Sequence, residues 1–184
     1  YQAVLTADID LADFAWEPMG KAYSTRFQGS LDGQGHTISG LNVTGSSSGN
    51  YGLFGYVDGG TVENLTVDGT VTITGSGSAS YGIGGIVGQL NGTGSVKNCV
   101  NKAKVSGSTN VGGIVGYANG SSYEKTISGC VNLGKVSGGN SVGGIVGQFS
   151  GKGSVSDCYD RGDIAASVSK AGGIVGYLYS TSSS

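Results

Sequence analysis

His36 is the only histidine of the chain, so it is the only imidazole that could serve as the base of a Ser-His-Asp relay. It follows Asp32-Gly33-Gln34-Gly35, a turn-forming run in which a structural role is the simpler reading. Acidic residues offer a second chemistry. Asp157, Asp160 and Asp163 are closely spaced, and paired carboxylates perform general acid/base work in polysaccharide lyases and hydrolases. A lyase also needs a basic catalytic side chain, and usually calcium, beside them. Asp8, Asp10, Asp13 and Asp32 form another acidic group near the start and follow no EF-hand loop pattern. There is no His-x-x-x-His or Cys-x-x-Cys pair to hold zinc. Cys99, Cys130 and Cys158 are too few, and odd in number, for a disulfide scaffold; they read as small buried hydrophobes with free thiols. Arg161-Gly162-Asp163 spells an integrin-type tripeptide, in which Gly162 is expected for its turn. No catalytic residue, metal ligand or cofactor is assigned, and the chain is expected not to be an enzyme.

What must position these residues follows from composition. Glycine fills 38 of 184 positions, far above the usual ~7%, while a single proline leaves almost every amide free to join a ladder. One proline excludes collagen, and a hydrophobic content of 37% argues against disorder. Ten Lys and Arg balance twelve Asp and Glu, for a net charge of -2 with no run of either sign. Nucleic acid is therefore not an expected partner, and neither is an anionic membrane surface. No apolar stretch approaches the ~20 residues of a bilayer span, so membrane insertion is not expected.

Repetition is the strongest signal. Gly-Gly-Ile-Val-Gly occurs at Gly84–Gly88, Gly112–Gly116, Gly143–Gly147 and Gly172–Gly176, at spacings of 28, 31 and 29 residues. Between the copies lie Val96-Lys97-Asn98-Cys99, Ile127-Ser128-Gly129-Cys130 and Val155-Ser156-Asp157-Cys158, followed by Val105, Val136 and Ile164. Val62-Glu63-Asn64-Leu65 and Ile38-Ser39-Gly40-Leu41 are degenerate copies. Short β-branched runs parted by Gly, Ser and Asn are strand and turn grammar, with no useful amphipathic helix. A period near 30 predicts an all-β parallel β-solenoid of about five coils, ~28–34 residues each, in which like stacks on like at ~4.8 Å. Val62, Val96, Ile127 and Val155 would form one ladder, and Leu65, Cys99, Cys130 and Cys158 another. Two more would be Val71, Val105, Val136 and Ile164, and Ile86, Ile114, Ile145 and Ile174. One coil cannot offset its own ordering entropy, so stability must grow by stacking.

The expected organisation is a single β-solenoid domain over 1–184, with an N-terminal cap at 1–26, coils at 27–178 and a polar tail at 179–184. The cap carries Val4, Leu5, Ile9, Leu11, Phe14 and Trp16 without the repeat. A start at Tyr1 and an end directly after a repeat are expected of one monomeric segment of a longer chain. In such a stack Asp157, Asp160 and Asp163 fall in columns with Asn98, Asn101 and Lys104, so the aspartates read as tolerated turn residues. A sharper surface feature is the column after each repeat string: Tyr56, Gln89, Tyr117, Gln148 and Tyr177. Directed outward, it would be a ligand-binding stripe able to stack on sugars or meet a protein. Val87, Val115, Val146 and Val175 would make a neighbouring outward apolar stripe.

Leu5-Thr6-Ala7-Asp8-Ile9-Asp10-Leu11, then Phe27-Gln28-Gly29-Ser30-Leu31-Asp32-Gly33-Gln34-Gly35-His36-Thr37-Ile38, resembles the start of repeat-bearing bacterial surface proteins. Tyr51-Gly52-Leu53-Phe54-Gly55 and the Gly-Gly-Ile-Val-Gly strings are similar to their GLUG-motif repeats. The resemblance implies a right-handed β-helix of the pectate-lyase-like type, in secreted or surface-anchored proteins that include the non-catalytic region of immunoglobulin A proteases. It is specific for architecture and almost silent on activity. The leading expectation is a non-catalytic extracellular module, cell-surface or cell-wall associated, acting as a rigid spacer or adhesion scaffold. The alternative is a glycan- or protein-binding adhesin face, with a host glycan or surface protein as partner; a polysaccharide lyase or hydrolase ranks third.

Overall fold

A computed structural model describes residues 1–75, 81–120 and 122–179. Of the expected polar tail, 180–184 lies outside the described residues. The chain winds as a parallel β-solenoid in which each coil after the first visits three sheets in turn. Sheet I stacks Gln2–Val4, Ser30–Asp32, Thr61–Glu63, Ser95–Lys97, Lys125–Ser128 and Gly153–Ser156, all parallel. Sheet II runs from Ile9–Asp10 through Thr37–Gly45 and Thr66–Ile73 to Ile164–Gly172. Sheet III stacks Phe54–Asp58, Val87–Asn91, Val115–Ala118, Val146–Ser150 and Val175–Tyr179. The six strands of sheet I make six coils, one more than the repeats predict, because residues 1–26 contribute Gln2–Val4 and Ile9–Asp10 to the stack.

The predicted ladders form in register. Leu31, Val62, Val96, Ile127 and Val155 are successive partners in sheet I. Val43, Val71, Val105, Val136 and Ile164 are successive partners in sheet II. Cys99 and Cys130 are buried beneath Cys158, all three thiols being free. Each sulfur donates to a carbonyl of the coil below, Cys99 to Val62 at 3.7 Å and Cys130 to Val96 at 3.6 Å.

The valine stripe is a correction. Val87, Val115 and Val146 belong to the core and have no exposed surface. Ile86 and Val87 both donate their amides to the Ile114 carbonyl, and Ile114 and Val115 both donate to Ile145. Two successive amides sharing one acceptor break the strict in-out alternation, so both the isoleucine and the valine of each repeat turn inward. The paired glycines make room at this bend. A Cβ on Gly112 would stand 2.0 Å from the Val115 carbonyl oxygen, and one on Gly113 would stand 2.2 Å from that of Gly144.

One inward column changes character along the stack. Ile9, Ile38 and Val67 occupy it in the first three coils, and Asn101, Asn132 and Asp160 in the last three. Asn101 Nδ2 donates to Asn132 Oδ1 at 2.8 Å and to the Ala103 carbonyl at 2.9 Å. Asn132 Nδ2 repeats the pattern with Asp160 Oδ1 and the Gly134 carbonyl, both at 2.8 Å. Both asparagines are fully buried, which is tolerable only because their amides are paired in this way.

Candidate functional site

The expected stripe exists as a column. Tyr56, Gln89, Tyr117, Gln148 and Tyr177 are successive register partners along sheet III. Tyr56, Gln89 and Tyr117 are buried, while Gln148 and Tyr177 are half-buried. Polar residues two positions further on hold them. With the Asn91 amide oriented to suit its neighbours, its Oδ1 accepts from the Tyr56 hydroxyl and its Nδ2 donates to the Asn119 carbonyl at 3.1 Å. The Tyr117 hydroxyl donates to Asn119 Oδ1 at 3.0 Å. Burial pushes the Tyr56 and Tyr117 phenols above their ordinary pKa, with the nearby Asp58 charge adding to the effect at Tyr56. At the far end, the Lys170 ammonium lies 3.6 Å from the Tyr177 ring centroid.

Tyr56 and Gln89 line a groove of about 540 Å³, together with Tyr23, Tyr51, Tyr81 and Asn119. Its outer wall comes from the first coil. Met19 and Phe27 bridge to Phe54 and Val57 as a sheet III strand would, but residues 20–26 between them leave the ladder. Gly20, at φ +68, starts the excursion, where a Cβ would stand 2.8 Å from the Tyr56 carbonyl oxygen. The excursion contains the 3-10 turn Tyr23–Thr25 and sets Tyr23 edge-on to Tyr56, centroids 5.8 Å apart at 87°. Arg26 lies 4.2 Å from the Tyr23 centroid and pairs through Nε with Asp58 Oδ2 at 2.9 Å. Lys21 pairs with Glu17 at 2.8 Å. On the other side of Tyr23 a second groove of about 380 Å³ is lined by Gln28, Asp58, Thr93 and Tyr123 among others. Lys125, fully buried, donates to the carbonyls of Gly120 at 2.7 Å and Tyr123 at 3.3 Å, fixing the turn that presents Tyr123. Burial pushes its pKa down.

The other candidate residues are dispersed. His36 Nδ1 lies 3.0 Å from Asp8 Oδ1, which also accepts from the Thr37 amide at 2.9 Å, so the pair ties the first coil to the second. The three repeat aspartates fall in three environments. Asp157 has φ 54, in a turn column shared with Asn64, Asn98 and Gly129, whose φ values are also positive. Asp160 closes the buried amide ladder, and Asp163 is exposed. Gly162 packs so closely on the coil beneath that a Cβ would stand 2.0 Å from the Gly134 carbonyl oxygen. Among the described residues, no cluster of three or more His, Cys, Asp or Glu could hold a metal.

Tyr23 and Tyr123 do not repeat, and nothing in the periodicity singles them out; Tyr81 follows Tyr51 by thirty residues, but Tyr51 bridges to Ile83 rather than to Tyr81. Asp58, Asn91, Asn119 and Ser150 do recur two residues after the stripe, and that regularity is the sequence signal for the groups holding it.

Residues 79–106 match the family of the GLUG motif. Halomucin of Haloquadratum walsbyi is 36% identical over 116 residues, covering 56% of this chain and 1% of that protein. A crystal structure of a Bacteroides ovatus protein, provisionally named an immunoglobulin A1 protease, aligns with a TM-score of 0.77 at 26% identity. The alignment covers 96% of this chain and 55% of that one. The chain thus spans about half of its structural neighbour and a hundredth of its curated relative. It is a β-solenoid repeat module carrying a GLUG motif.

Proposed function

We propose that this chain is a non-catalytic repeat module of a secreted or cell-surface protein, serving as a rigid spacer or adhesion scaffold. The observation that carries this reading is the stacked parallel ladder: from the second coil on, each coil is hydrogen-bonded to the next through three sheets, and the first coil joins through two sheets and two isolated bridges. Bending or extending such a rod requires many bonds to break together, whereas a flexible linker yields one residue at a time. The halomucin match and the Bacteroides ovatus neighbour, each longer than this stretch, support its working as one segment of a larger chain. Pulling a tandem array of the segment between reference domains tests the proposal. A discrete high-force unfolding event is expected; extension at the low force of a Gly/Ser linker would contradict it. Surface exposure is tested by protease shaving of cells expressing the parent protein, which should release fragments of this module.

A further inference from the structure

The groove beneath Tyr23 has a lining that the scaffold role does not require. Four tyrosines, Tyr23, Tyr51, Tyr56 and Tyr81, surround it, with the amides of Gln89 and Asn119 among them. Tyr23 and Tyr81 are exposed, at 63% and 39%, although each has a large apolar ring that folding could have buried. The deeper rings are held in fixed orientations, Tyr56 through Asn91 and Tyr51 through Ser47, whose Oγ lies 3.1 Å from its hydroxyl. The volume, about 540 Å³, falls within the ~300–1,000 Å³ typical of small-ligand sites.

Charge decides what such a lining would hold. The two cations beside the groove are already matched, Lys21 to Glu17 and Arg26 to Asp58. What remains is aromatic faces and neutral amides. That combination suits a ligand with apolar C–H faces and many hydroxyls, and gives no counter-charge to a phosphate, sulfate or uronate. A proline-rich peptide would also use aromatic faces, but it carries few donors for the two amides. Tyr23 is shared with the second groove of about 380 Å³, where Gln28, Thr93 and Tyr123 continue the same chemistry. Two adjoining grooves divided by one exposed ring fit a linear ligand of several units.

We propose that this pair of grooves is a binding site for a neutral oligosaccharide, with Tyr23 and Tyr81 as stacking platforms and Gln89 and Asn119 as hydrogen-bond partners. The proposal is independent of the scaffold role: a stiff rod without a ligand and a ligand-binding module that is not stiff are both distinguishable outcomes.

The test is calorimetric titration of the 184-residue chain with cellohexaose, maltohexaose, laminarihexaose, mannohexaose and xylohexaose, alongside oligogalacturonate and a proline-rich decapeptide. At least one neutral hexasaccharide should bind, with little change between low and high salt. Tyr23→Ala and Tyr81→Ala should each weaken that binding by about tenfold or more, as truncation of a central aromatic contact does. Both side chains are exposed, so thermal unfolding of Tyr81→Ala should match the parent, and Tyr23→Ala, which gives up its contacts with Tyr56 and Arg26, should melt only a few degrees lower. Tyr159→Ala, on the last coil and 67% exposed, is the control and should bind as the parent does. Absence of binding to every neutral sugar, binding that Tyr23→Ala leaves intact, or preference for oligogalacturonate or the peptide would each overturn the proposal.

Discussion

Asn132 donates its side-chain amide to Asp160 across 2.8 Å, and Asp160, a carboxylate, has no amide with which to continue. The buried ladder that begins at Asn101 therefore runs in one direction and terminates at the last coil. Each asparagine also binds its own chain two residues on, Asn101 to Ala103 and Asn132 to Gly134. The side chains thus brace the turns as well as the stack. Asn132→Ala should lower stability by about 2–4 kcal/mol, because it leaves an Asn101 N–H and the Gly134 backbone without partners. Replacing Asn101 and Asn132 together by Val, the residue found at Val67 in the same column, should cost less than the sum of the single changes. Urea unfolding of the three variants checks both statements.

Gly144 and Gly173 hold the same place in successive coils, yet they differ in what lies above. A Cβ on Gly144 would stand 2.1 Å from the Gly173 carbonyl oxygen, while one on Gly173 meets nothing within 4 Å. Gly144→Ala should therefore destabilise by about 2–4 kcal/mol, since backbone rather than a flexible side chain must move. Gly173→Ala should change stability by no more than about 0.5 kcal/mol, or raise it slightly by restricting the unfolded chain. Thermal melts of the two variants give the comparison directly.

A second turn column carries avoidable strain. Asn110, Ser141 and Lys170 have φ of 52, 54 and 61. Asparagine tolerates this left-handed region better than serine or lysine, and glycine tolerates it freely. Ser141→Gly should raise stability by about 0.5–1 kcal/mol, read as a higher urea midpoint at unchanged slope. The opposite sign is expected for Asn98→Val, at φ 50, which should cost about 1–2 kcal/mol.

The cysteine ladder should make stability fall with rising pH in the alkaline range. The Cys158 thiol beside Cys130 lowers its pKa, but the Cys99 contact and burial outweigh this and push it up to about 12. Cys158 is raised as well, by its bond to Cys130 and by burial. A thiol that ionises later in the fold than in the unfolded chain contributes stability that is complete below its unfolded pKa near 9. That contribution is lost as pH climbs from there toward 12. At the deeply buried Cys130 this steepens the loss by about 1.4 kcal/mol per pH unit, and the half-buried Cys158, screened by solvent, adds less. The raised Tyr56 and Tyr117 act in the same direction above pH 10. Cys130→Val should flatten the decline in unfolding free energy between pH 9 and 11 relative to the parent.

Much of this molecule was legible because each column repeats one chemical requirement. The Val62 and Val71 ladders follow from spacing alone, as does the shared column of Cys99, Cys130 and Cys158. The first coil was not legible as a coil, since Gln2–Val4 and Ile9–Asp10 pair by backbone while their side chains depart from the repeat. The inward turn of Val87, Val115 and Val146 was hidden because alternation fails where two amides share one carbonyl. Asn101 and Asn132 read as turn residues because burial is a property of the closed coil, not of the local sequence. The groove depends on residues 20–26, an excursion that occurs in one coil only, so no periodicity could announce Tyr23.

Like residues standing over one another, coil upon coil, is the claim on which the rest depends, and spin-label distances measure it. With the three cysteines replaced by Val, labels are placed at Thr44 and, in turn, at Ser106, Ser137 and Ala165, which share one column through Thr72. The mean distance from Thr44 should lengthen by about 5 Å at each step, one strand spacing per coil. Distances that failed to increase in that order, or that scattered without a common increment, would contradict the stacked solenoid.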